Sequence, residues 1–212
     1  MTDIKKALLL YAVSDRSWTG RQSLAQQVED ALKGGITMLQ LREKELGCDD
    51  FLKEAIELKS LCLKYNVPLI INDNIDIAIR SGADGVHLGQ GDTDPITARG
   101  LLGRDRIIGV TAKTPGQAIV AERAGADYLG VGAMFSTSTK LDTSCIGPDA
   151  LGPVAAAVSI PVCAIGGINM DNMRLLKGRG AAGVALVSAI FSADDITQRS
   201  RELLALAGEV FG

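Results

Sequence analysis

The sequence has few aromatic residues, a single histidine and no long uninterrupted hydrophobic run. Aromatic residues make up 4% of the 212 positions, and His87 is the one histidine. Gly, Asp, Arg or Lys interrupts each apolar stretch well before the roughly 20 residues that a membrane-spanning helix needs. The apolar run near the N-terminus is followed by Ser14 and Asp15, so we interpret it as a strand and not as a signal peptide. We therefore expect a cytoplasmic protein with no membrane partner.

The sequence also lacks a large excess of charge and any closely spaced pair of cysteines. Its formal net charge is -3, from 22 basic and 25 acidic residues, so no broad positive field would attract nucleic acid. Cys48, Cys62, Cys145 and Cys163 form no CxxC pair, and no histidine lies beside them. This spacing argues against a zinc site or a redox pair. We expect reduced, mostly structural thiols and no nucleic-acid partner.

Short apolar runs alternate with longer amphipathic segments along the whole chain. LLLYAV precedes SLAQQVEDALKGG, for example, and PLIIN precedes IDIAIRSGA, and about eight such strand-helix units follow one another. The strands are continuously apolar, which is typical of a parallel sheet covered on both faces. Two small domains or an open doubly wound sheet fit this regular succession less well. We predict an α/β fold, a (β/α)8 TIM barrel that forms a single domain over residues 1–212.

Polar residues at the ends of the predicted strands are candidates for a functional site, because TIM barrels carry their chemistry there. Gln40, Arg42 and Lys44 alternate along the second strand and therefore share one face. Two cations and an amide on that face would suit a highly charged anion. The alternative is a structural role, with Glu43 or Glu45 as the salt-bridge partner of these cations.

Two acidic residues follow the next two strands. Asp73 stands in the segment Asn72-Asp73-Asn74 after the third strand, and Asp92 follows the fourth. Mg2+ commonly takes one or two carboxylates together with phosphate oxygens and water. The alternative is that both residues cap the following helices, because Asp is a favoured N-cap.

Three later loops could hold phosphate groups. The loop at 136–140 carries hydroxyls and Lys140, although surface loops rich in Ser and Thr are common. Glycines in AIGGI, at 164–168, and the small polar end of the eighth strand at Val187 and Ser188 match a recurrent phosphate site of TIM barrels. A phosphorylated small molecule is therefore expected.

Taken together, QLREK, IINDN, GVHLGQGD, GVTAKT, STSTK, AIGGI and VSAI resemble the thiamine-phosphate synthase family in order and spacing, from the second strand to the eighth. The resemblance implies a transferase of thiamine biosynthesis that joins 4-amino-2-methyl-5-(diphosphooxymethyl)pyrimidine to 4-methyl-5-(2-phosphoethyl)thiazole, or its carboxylated form. The products would be thiamine monophosphate and pyrophosphate. It also implies one Mg2+ per subunit and a dissociative substitution. A homo-oligomer is left open.

The same resemblance implies roles for individual residues. Asp73 and Asp92 would bind Mg2+. Catalytic roles would fall to Arg42, Lys44, Thr111 and Lys140. The substrate-binding residues would be Gln40, Leu41, Arg42, Glu43, Lys44, Asn72, Thr111, Thr137, Ser138, Thr139, Lys140, Gly167, Val187 and Ser188. Among these, the QLREK segment, Asn72 and Thr111 would bind the pyrimidine substrate, Lys140 the pyrophosphate, and Thr137, Thr139, Gly167, Val187 and Ser188 the thiazole phosphate.

The sequence departs from the family pattern at a few positions. Thr111 stands where serine is common, Lys113 where histidine is common, and Ser136 where proline is common. A related thiazole tautomerase would need a histidine near position 113, and Lys113 therefore favours the synthase. A phosphate-binding barrel without activity is the other alternative. We interpret His87 as a packing or orienting residue.

Overall fold

A computed structural model describes residues 3–136 and 145–212 of the chain and contains a closed barrel of eight parallel strands. Each strand pairs with its neighbours in sequence, and β8 closes the barrel on β1 through Leu10 opposite Val184. The predicted (β/α)8 barrel is confirmed. The strands are β1 (Leu10–Val13), β2 (Met38–Leu41), β3 (Leu69–Asn72), β4 (Gly85–Leu88), β5 (Ile107–Ala112), β6 (Tyr128–Val131), β7 (Val162–Ile165) and β8 (Gly183–Leu186).

One short helix, α1 (Ile4–Ala7), precedes β1, and the other α-helices follow strands. They are α2 (Leu24–Lys33), α3 (Cys48–Tyr65), α4 (Ile75–Ser81), α5 (Pro95–Leu102), α6 (Pro115–Arg123), α7 (Leu151–Ala156), α8 (Ser188–Phe191) and α9 (Ile196–Phe211). Three short 3-10 helices span Arg16–Trp18, Pro148–Ala150 and Met173–Leu176. The last of these stands where the sequence pattern indicated a longer amphipathic segment after β7. Gly178 and Gly180, both with positive φ, follow it and stop any extension.

The strands are buried on both faces, which explains their continuous apolar character. One hydrophobic cluster fills the layer between the strands and the helices, and a second fills the barrel interior with residues such as Tyr11, Met38 and Tyr128. Cys62 belongs to the outer layer and Cys163 to the interior, while Cys48 and Cys145 are exposed, and all four are free thiols. In the ranges 3–136 and 145–212, no helix is both long and apolar enough to cross a membrane.

Local sequence signals define where the helices begin. Ser23 caps α2 in a reciprocal capping box with Gln26, and Asn74, Asp94 and Asp195 cap α4, α5 and α9 through their side chains. Each cap satisfies a backbone N–H group at the helix start that has no partner inside the helix. The caps therefore fix the point at which each of these loops ends and its helix begins.

Candidate active site at the barrel mouth

A cavity of about 510 Å3 opens at the carboxyl ends of the strands. Residues from all eight strands line it, so their positions depend on closure of the barrel. Its polar and glycine lining includes Gln40, Arg42, Lys44, Asn72, Asp73, His87, Asp92, Thr111, Lys113, Gly166, Gly167 and Ser188. The cavity thus brings together most of the polar residues that the sequence pattern singled out.

The alternating residues at the end of β2 face this cavity as predicted. Gln40 is buried in the barrel wall, and Arg42 and Lys44 follow it on the same face. The Arg42 guanidinium lies 3.3 Å from the Asp15 carboxylate, and Lys44 Nζ lies 2.6 Å from Asp73 Oδ2. The cations therefore pair with carboxylates from other loops, and Glu43 and Glu45 are not their partners.

Glu43 and Leu41 occupy the opposite face, so their side chains point away from the cavity, and their substrate-binding role stays a prediction that only main-chain atoms could meet. Leu41 is fully buried in the layer between strands and helices. The Glu43 side chain, 1% exposed, pairs with Arg16 and accepts hydrogen bonds from the backbone N–H groups of Glu45 and Leu46 at 2.6 and 3.1 Å. Only main-chain atoms of these two residues remain available to a ligand, because side chains alternate along a strand.

The Glu43 side chain holds the loop that carries Arg42 and Lys44 in place. Burial alone would raise the pKa of Glu43, but the backbone donors and Arg16 outweigh it and lower that pKa. Arg16 also lies 2.7 Å from Glu54, so one guanidinium connects the β1 loop to α3 through two carboxylates. The Glu43 carboxylate is therefore ionised, and its hydrogen bonds hold the loop.

Asp73 and Asp92 face each other across the ends of β3 and β4. Asp73 accepts hydrogen bonds from Asn72 Nδ2 at 2.7 Å and from Lys44 Nζ at 2.6 Å, while Asp92 accepts from the Gly89 N–H at 2.7 Å. Burial raises the pKa of Asp73, the neighbouring Asp92 carboxyl adds to this effect, and Lys44 offsets only part of it. Asp73 has a φ of 61°, which turns the chain sharply after β3.

The alternative role of these acids as helix caps is wrong. Asn74 accepts the capping hydrogen bond from Ile77 N–H, and Asp94 accepts that from Thr97 N–H. Each cap lies one or two residues beyond the acid that was considered for it. Asp73 and Asp92 are therefore available to the cavity.

The acidic pair suits Mg2+ better than a metal that needs a full set of protein ligands. No cluster of three or more His, Cys, Asp or Glu side chains with metal-binding geometry occurs among the residues that the structure describes. Mg2+ is commonly held by one or two carboxylates, with substrate oxygens and water completing its shell. A divalent cation between Asp73 and Asp92 would relieve the repulsion that helps to raise the pKa of Asp73.

A row of hydrogen-bonded side chains crosses the inner wall of the cavity, and the sequence pattern had indicated only part of it. Gln40, Tyr11, Tyr128, His87 and Thr111 are linked in that order. His87 has the orienting position expected from the sequence. The two tyrosines were missed, because a tyrosine inside an apolar strand signals packing and carries no mark of a polar partner.

Two consecutive glycines form the opposite side of the mouth. Gly166 and Gly167 have φ values of 96° and 67°, and a Cβ atom on Gly167 would lie 2.5 Å from the Ser136 carbonyl oxygen. Only glycine fits this close backbone approach. Val187 and Ser188 line the same cavity at the end of β8. The predicted residues of the thiazole phosphate site that the structure describes therefore lie together.

Four predicted site residues lie outside the described residues, namely Thr137, Ser138, Thr139 and Lys140. The segments on either side of them are described. Ser136 lies next to Gly167, and the Cys145 thiol donates to the Met134 carbonyl at 3.4 Å. The roles of these four residues therefore remain predictions from the resemblance.

Comparison with known proteins gives one consistent result. The family model described as thiamine monophosphate synthase matches residues 10–190. A thiamine-phosphate synthase of Ruminiclostridium cellulolyticum is 49% identical over 92% of this chain and 93% of its own length, and one of Clostridium acetobutylicum is 47% identical over 91% of each. The solved structure of a thiamine phosphate pyrophosphorylase from Pyrococcus furiosus is 34% identical and superposes with a TM-score of 0.90, covering 99% of this chain and all of that one.

Proposed function

The chain belongs to the thiamine monophosphate synthase family, a family of transferases in thiamine biosynthesis, and we propose that the cavity at the barrel mouth binds both substrates of its synthase reaction. The observation that carries this proposal is the joint lining of one cavity by basic, acidic and amide side chains from the ends of β2, β3 and β4 and from the loops that follow them. A diphosphate requires cations, a divalent cation requires carboxylates, and a heteroaromatic ring requires hydrogen-bonding groups. All three kinds of group line this one cavity.

The diphosphate end of the pyrimidine substrate would bind beside Arg42 and Lys44. Each of these cations lies beside a carboxylate, Asp15 and Asp73 respectively, which holds it in place before the ligand arrives. Arg42 also donates its backbone N–H to Ser14 Oγ at 3.0 Å, which ties the segment to the β1 loop. Lys140 is assigned to the same pyrophosphate by resemblance alone. Cations that are already oriented stabilise developing negative charge without further reorganisation.

Asp73 and Asp92 would hold one Mg2+ per subunit. When bound there, this ion would supply positive charge close to the oxygens of the leaving pyrophosphate. The protein's own contribution is geometric. Asn72 and Lys44 orient the Asp73 carboxylate, and the Gly89 N–H orients that of Asp92, so both carboxylates keep fixed directions toward the cavity.

The reaction would proceed by dissociative substitution. The bond between the pyrimidine methylene carbon and the bridging oxygen breaks, and its electron pair leaves with pyrophosphate. The ring amine stabilises the resulting cation, and the thiazole nitrogen then donates its lone pair to form the new C–N bond. No strong base is required, which agrees with the presence of a single histidine. Gln40, Asn72 and Thr111 would hold the pyrimidine in line for attack.

The thiazole phosphate would bind on the other side of the mouth. Gly167, Val187 and Ser188 line that side, and Thr137 and Thr139 are assigned to it by resemblance. The absence of a side chain at Gly167 lets a phosphate oxygen approach the backbone closely. Small-molecule substrates are therefore the proposed partners, and we propose a cytoplasmic location for a biosynthetic enzyme whose described residues contain no helix able to span a membrane.

A coupled assay of pyrophosphate release tests this proposal. The protein is supplied with the pyrimidine diphosphate, with and without thiazole phosphate and Mg2+, and the product is identified by mass spectrometry. We expect thiamine phosphate and pyrophosphate in equal amounts when all three components are present. A folded protein that binds thiazole phosphate but releases no pyrophosphate would favour the related tautomerase or a barrel without activity.

A further inference from the structure

Five polar side chains on the inner wall of the cavity form one continuous hydrogen-bonded chain across the barrel. Gln40 Nε2 donates to the Tyr11 hydroxyl at 2.6 Å, and the Tyr11 and Tyr128 hydroxyls lie 2.9 Å apart. The Tyr128 hydroxyl lies 3.0 Å from His87 Nδ1, and His87 Nε2 lies 3.0 Å from Thr111 Oγ1. The two ends of this chain, Gln40 and Thr111, are the residues proposed above to contact the pyrimidine.

One orientation of the hydroxyl and imidazole protons, which starts at Gln40, satisfies every hydrogen bond of this chain. An amide nitrogen can only donate, so the Tyr11 hydroxyl accepts from Gln40. The Tyr11 hydroxyl is buried, and the orientation that satisfies its own proton gives that proton to the Tyr128 oxygen 2.9 Å away. Tyr128 in turn gives its single proton to His87 Nδ1. Both tyrosines are fully buried, and this burial raises the pKa of each far above the physiological range, so each hydroxyl keeps its proton.

This direction determines the tautomer of His87 and the role of Thr111. In this orientation Nδ1 of His87 accepts, so the ring proton lies on Nε2, which donates to Thr111 Oγ1 at 3.0 Å. The Thr111 hydroxyl proton is left to point at a ligand. At the other end, Gln40 uses Nε2 in its contact with Tyr11, and its Oε1 is the atom that would accept from a ligand.

We propose that Tyr11, Tyr128 and His87 are positioning residues that make Gln40 a hydrogen-bond acceptor and Thr111 a hydrogen-bond donor toward the pyrimidine ring. The inference rests on the proposed function, because it assigns the ring to this wall of the cavity. An aminopyrimidine complements that arrangement, since its exocyclic amine donates and its ring nitrogens accept. An oxopyrimidine, in which the amine is replaced by a carbonyl and a ring nitrogen carries hydrogen, presents the reverse pattern and would be rejected.

The surrounding backbone holds the rings of the chain in place. A Cβ atom on Gly109 would lie 2.1 Å from Tyr128 Cζ, and one on Gly130 would lie 3.0 Å from His87 Cε1. The Tyr11 and Tyr128 rings meet edge to face, with centroids 6.0 Å apart. The rings therefore fit spaces that the strands leave for them, and the hydroxyls stay in contact without a ligand.

The test compares Tyr128→Phe with the wild-type protein and with Tyr65→Phe as a matched control. Tyr65 is the last residue of α3 and is not among the residues that line the cavity, and its hydroxyl donates to Glu29 at 3.2 Å. For each protein, inhibition constants are measured for the monophosphates of 2-methyl-5-(hydroxymethyl)pyrimidine in the 4-amino and 4-oxo forms. The KM values for pyrimidine diphosphate and thiazole phosphate, and kcat, are measured in parallel.

We expect the wild type and Tyr65→Phe to prefer the amino form strongly. In Tyr128→Phe, no tyrosine hydroxyl donates to His87 Nδ1, so the imidazole proton can move to Nδ1. The Thr111 hydroxyl can then donate to His87 Nε2 instead of to the pyrimidine, and the preference for the amino form should fall about tenfold. The KM for the pyrimidine diphosphate should rise by a similar factor, with the KM for thiazole phosphate unchanged. A purely structural role of Tyr128 would move both KM values together.

Tyr11→Phe provides a second variant if Tyr128→Phe does not fold. It interrupts the chain next to Gln40 and should cause the same loss of preference for the amino form. If the wild type is active and a folded variant keeps the wild-type preference for the amino form, the positioning role of the tyrosines is overturned and the proposed function is not. If the wild type binds neither monophosphate and releases no pyrophosphate, the proposed function fails first, and this inference fails with it.

Discussion

At the scale of single residues, Arg42 and Lys44 at the mouth are each paired with a carboxylate. Lys44 lies 2.6 Å from Asp73, and Arg42 lies 3.3 Å from Asp15. Because each cation lies beside a carboxylate, the local field should be only weakly positive before a metal ion binds. A diphosphate should therefore bind well only together with Mg2+, which would neutralise the Asp73 and Asp92 pair.

Replacing Asp92 by Asn should specifically weaken the use of Mg2+. The amide can still accept the Gly89 N–H, so the loop should keep its shape while one negative ligand is lost. We expect the rate of pyrophosphate release at limiting Mg2+ to fall by about 100-fold, with partial recovery at high Mg2+. The measurement is kcat/KM as a function of Mg2+ concentration.

Asp94→Asn is the matched control for this change. It lies two residues away and caps α5, and asparagine caps a helix as well as aspartate does. Its Mg2+ dependence should equal that of the wild type. Wild-type turnover by Asp92→Asn at limiting Mg2+ would remove Asp92 from the metal site.

Replacing Glu43 by Gln should destabilise the protein in a pH-dependent way. Despite its burial, the pKa of Glu43 is lowered by the Glu45 and Leu46 N–H groups and by Arg16, so its ionised form stabilises the fold. That contribution is complete above the ordinary glutamate pKa and is lost as the pH falls through the lowered native value. At pH 7 we expect a loss of about 2 kcal/mol, because Arg16 retains Glu54 as a partner.

Thermal unfolding of Glu43→Gln and wild type between pH 3 and pH 8 measures this effect. The Tm of the variant should be lower by about 4–8 °C at neutral pH, and the difference should shrink on acidification. A constant difference at every pH would show that packing, and not the charge of Glu43, is lost. If Glu43 bound substrate directly, KM would rise with little change in Tm.

At the scale of secondary structure, Gly109 in β5 and Gly100 in α5 should respond in opposite ways to replacement by alanine. Gly109 in β5 leaves room for the Tyr128 ring, whose Cζ would lie 2.1 Å from an added Cβ atom. Gly100 in α5 is exposed and has open space around it. Gly109→Ala should therefore cost about 1–3 kcal/mol through overpacking, whereas Gly100→Ala should stabilise α5 by up to about 1 kcal/mol.

Urea unfolding measures the stability of the two alanine variants, and we expect their m values to equal that of the wild type. Both substitutions add one methyl group. A lower free energy of unfolding for Gly109→Ala would report the lack of space next to Tyr128, and a higher one for Gly100→Ala would report the intrinsic cost of a helical glycine. A neutral Gly109→Ala would mean that the Tyr128 ring can move, and the hydrogen-bonded chain would then be less rigid than the structure indicates. The Gly100→Ala variant should keep full activity.

At the scale of the whole molecule, ligand binding should stabilise the barrel as one unit. β1 pairs with β8, so residues near both ends of the chain meet in the same sheet, and we expect a single unfolding transition. Inorganic pyrophosphate together with Mg2+, at about 100 times the dissociation constant, should add about 2.7 kcal/mol of stability. The Tm should rise by roughly 5–10 °C, as measured by calorimetry.

Pyrophosphate alone and Mg2+ alone are the controls for this measurement. Each should raise Tm much less than the combination, because the net charge of the protein is -3 and because Arg42 and Lys44 are paired with acids. Equal stabilisation by pyrophosphate without Mg2+ would contradict a metal site formed by Asp73 and Asp92.

The fold and much of the candidate site follow from the order of residues alone. Apolar runs of strand length separated by amphipathic segments leave few alternatives to a closed parallel barrel, because both faces of every strand must be covered. Side chains alternate along a strand, so Gln40, Arg42 and Lys44 had to share a face. The family resemblance and the comparisons agree on the same reaction.

Tertiary structure decided which neighbours these residues meet. The pairing of Glu43 with Arg16, and the row formed by Tyr11, Tyr128 and His87, join positions far apart in the chain. Such contacts depend on closure of the barrel and on the space left by glycines, and no local pattern records either of them. The sequence by itself determined that Gln40, Arg42 and Lys44 share a face at the mouth, because the alternation of side chains along a strand is local. Which hydrogen bonds orient those residues depends on strands brought together only by the closed sheet.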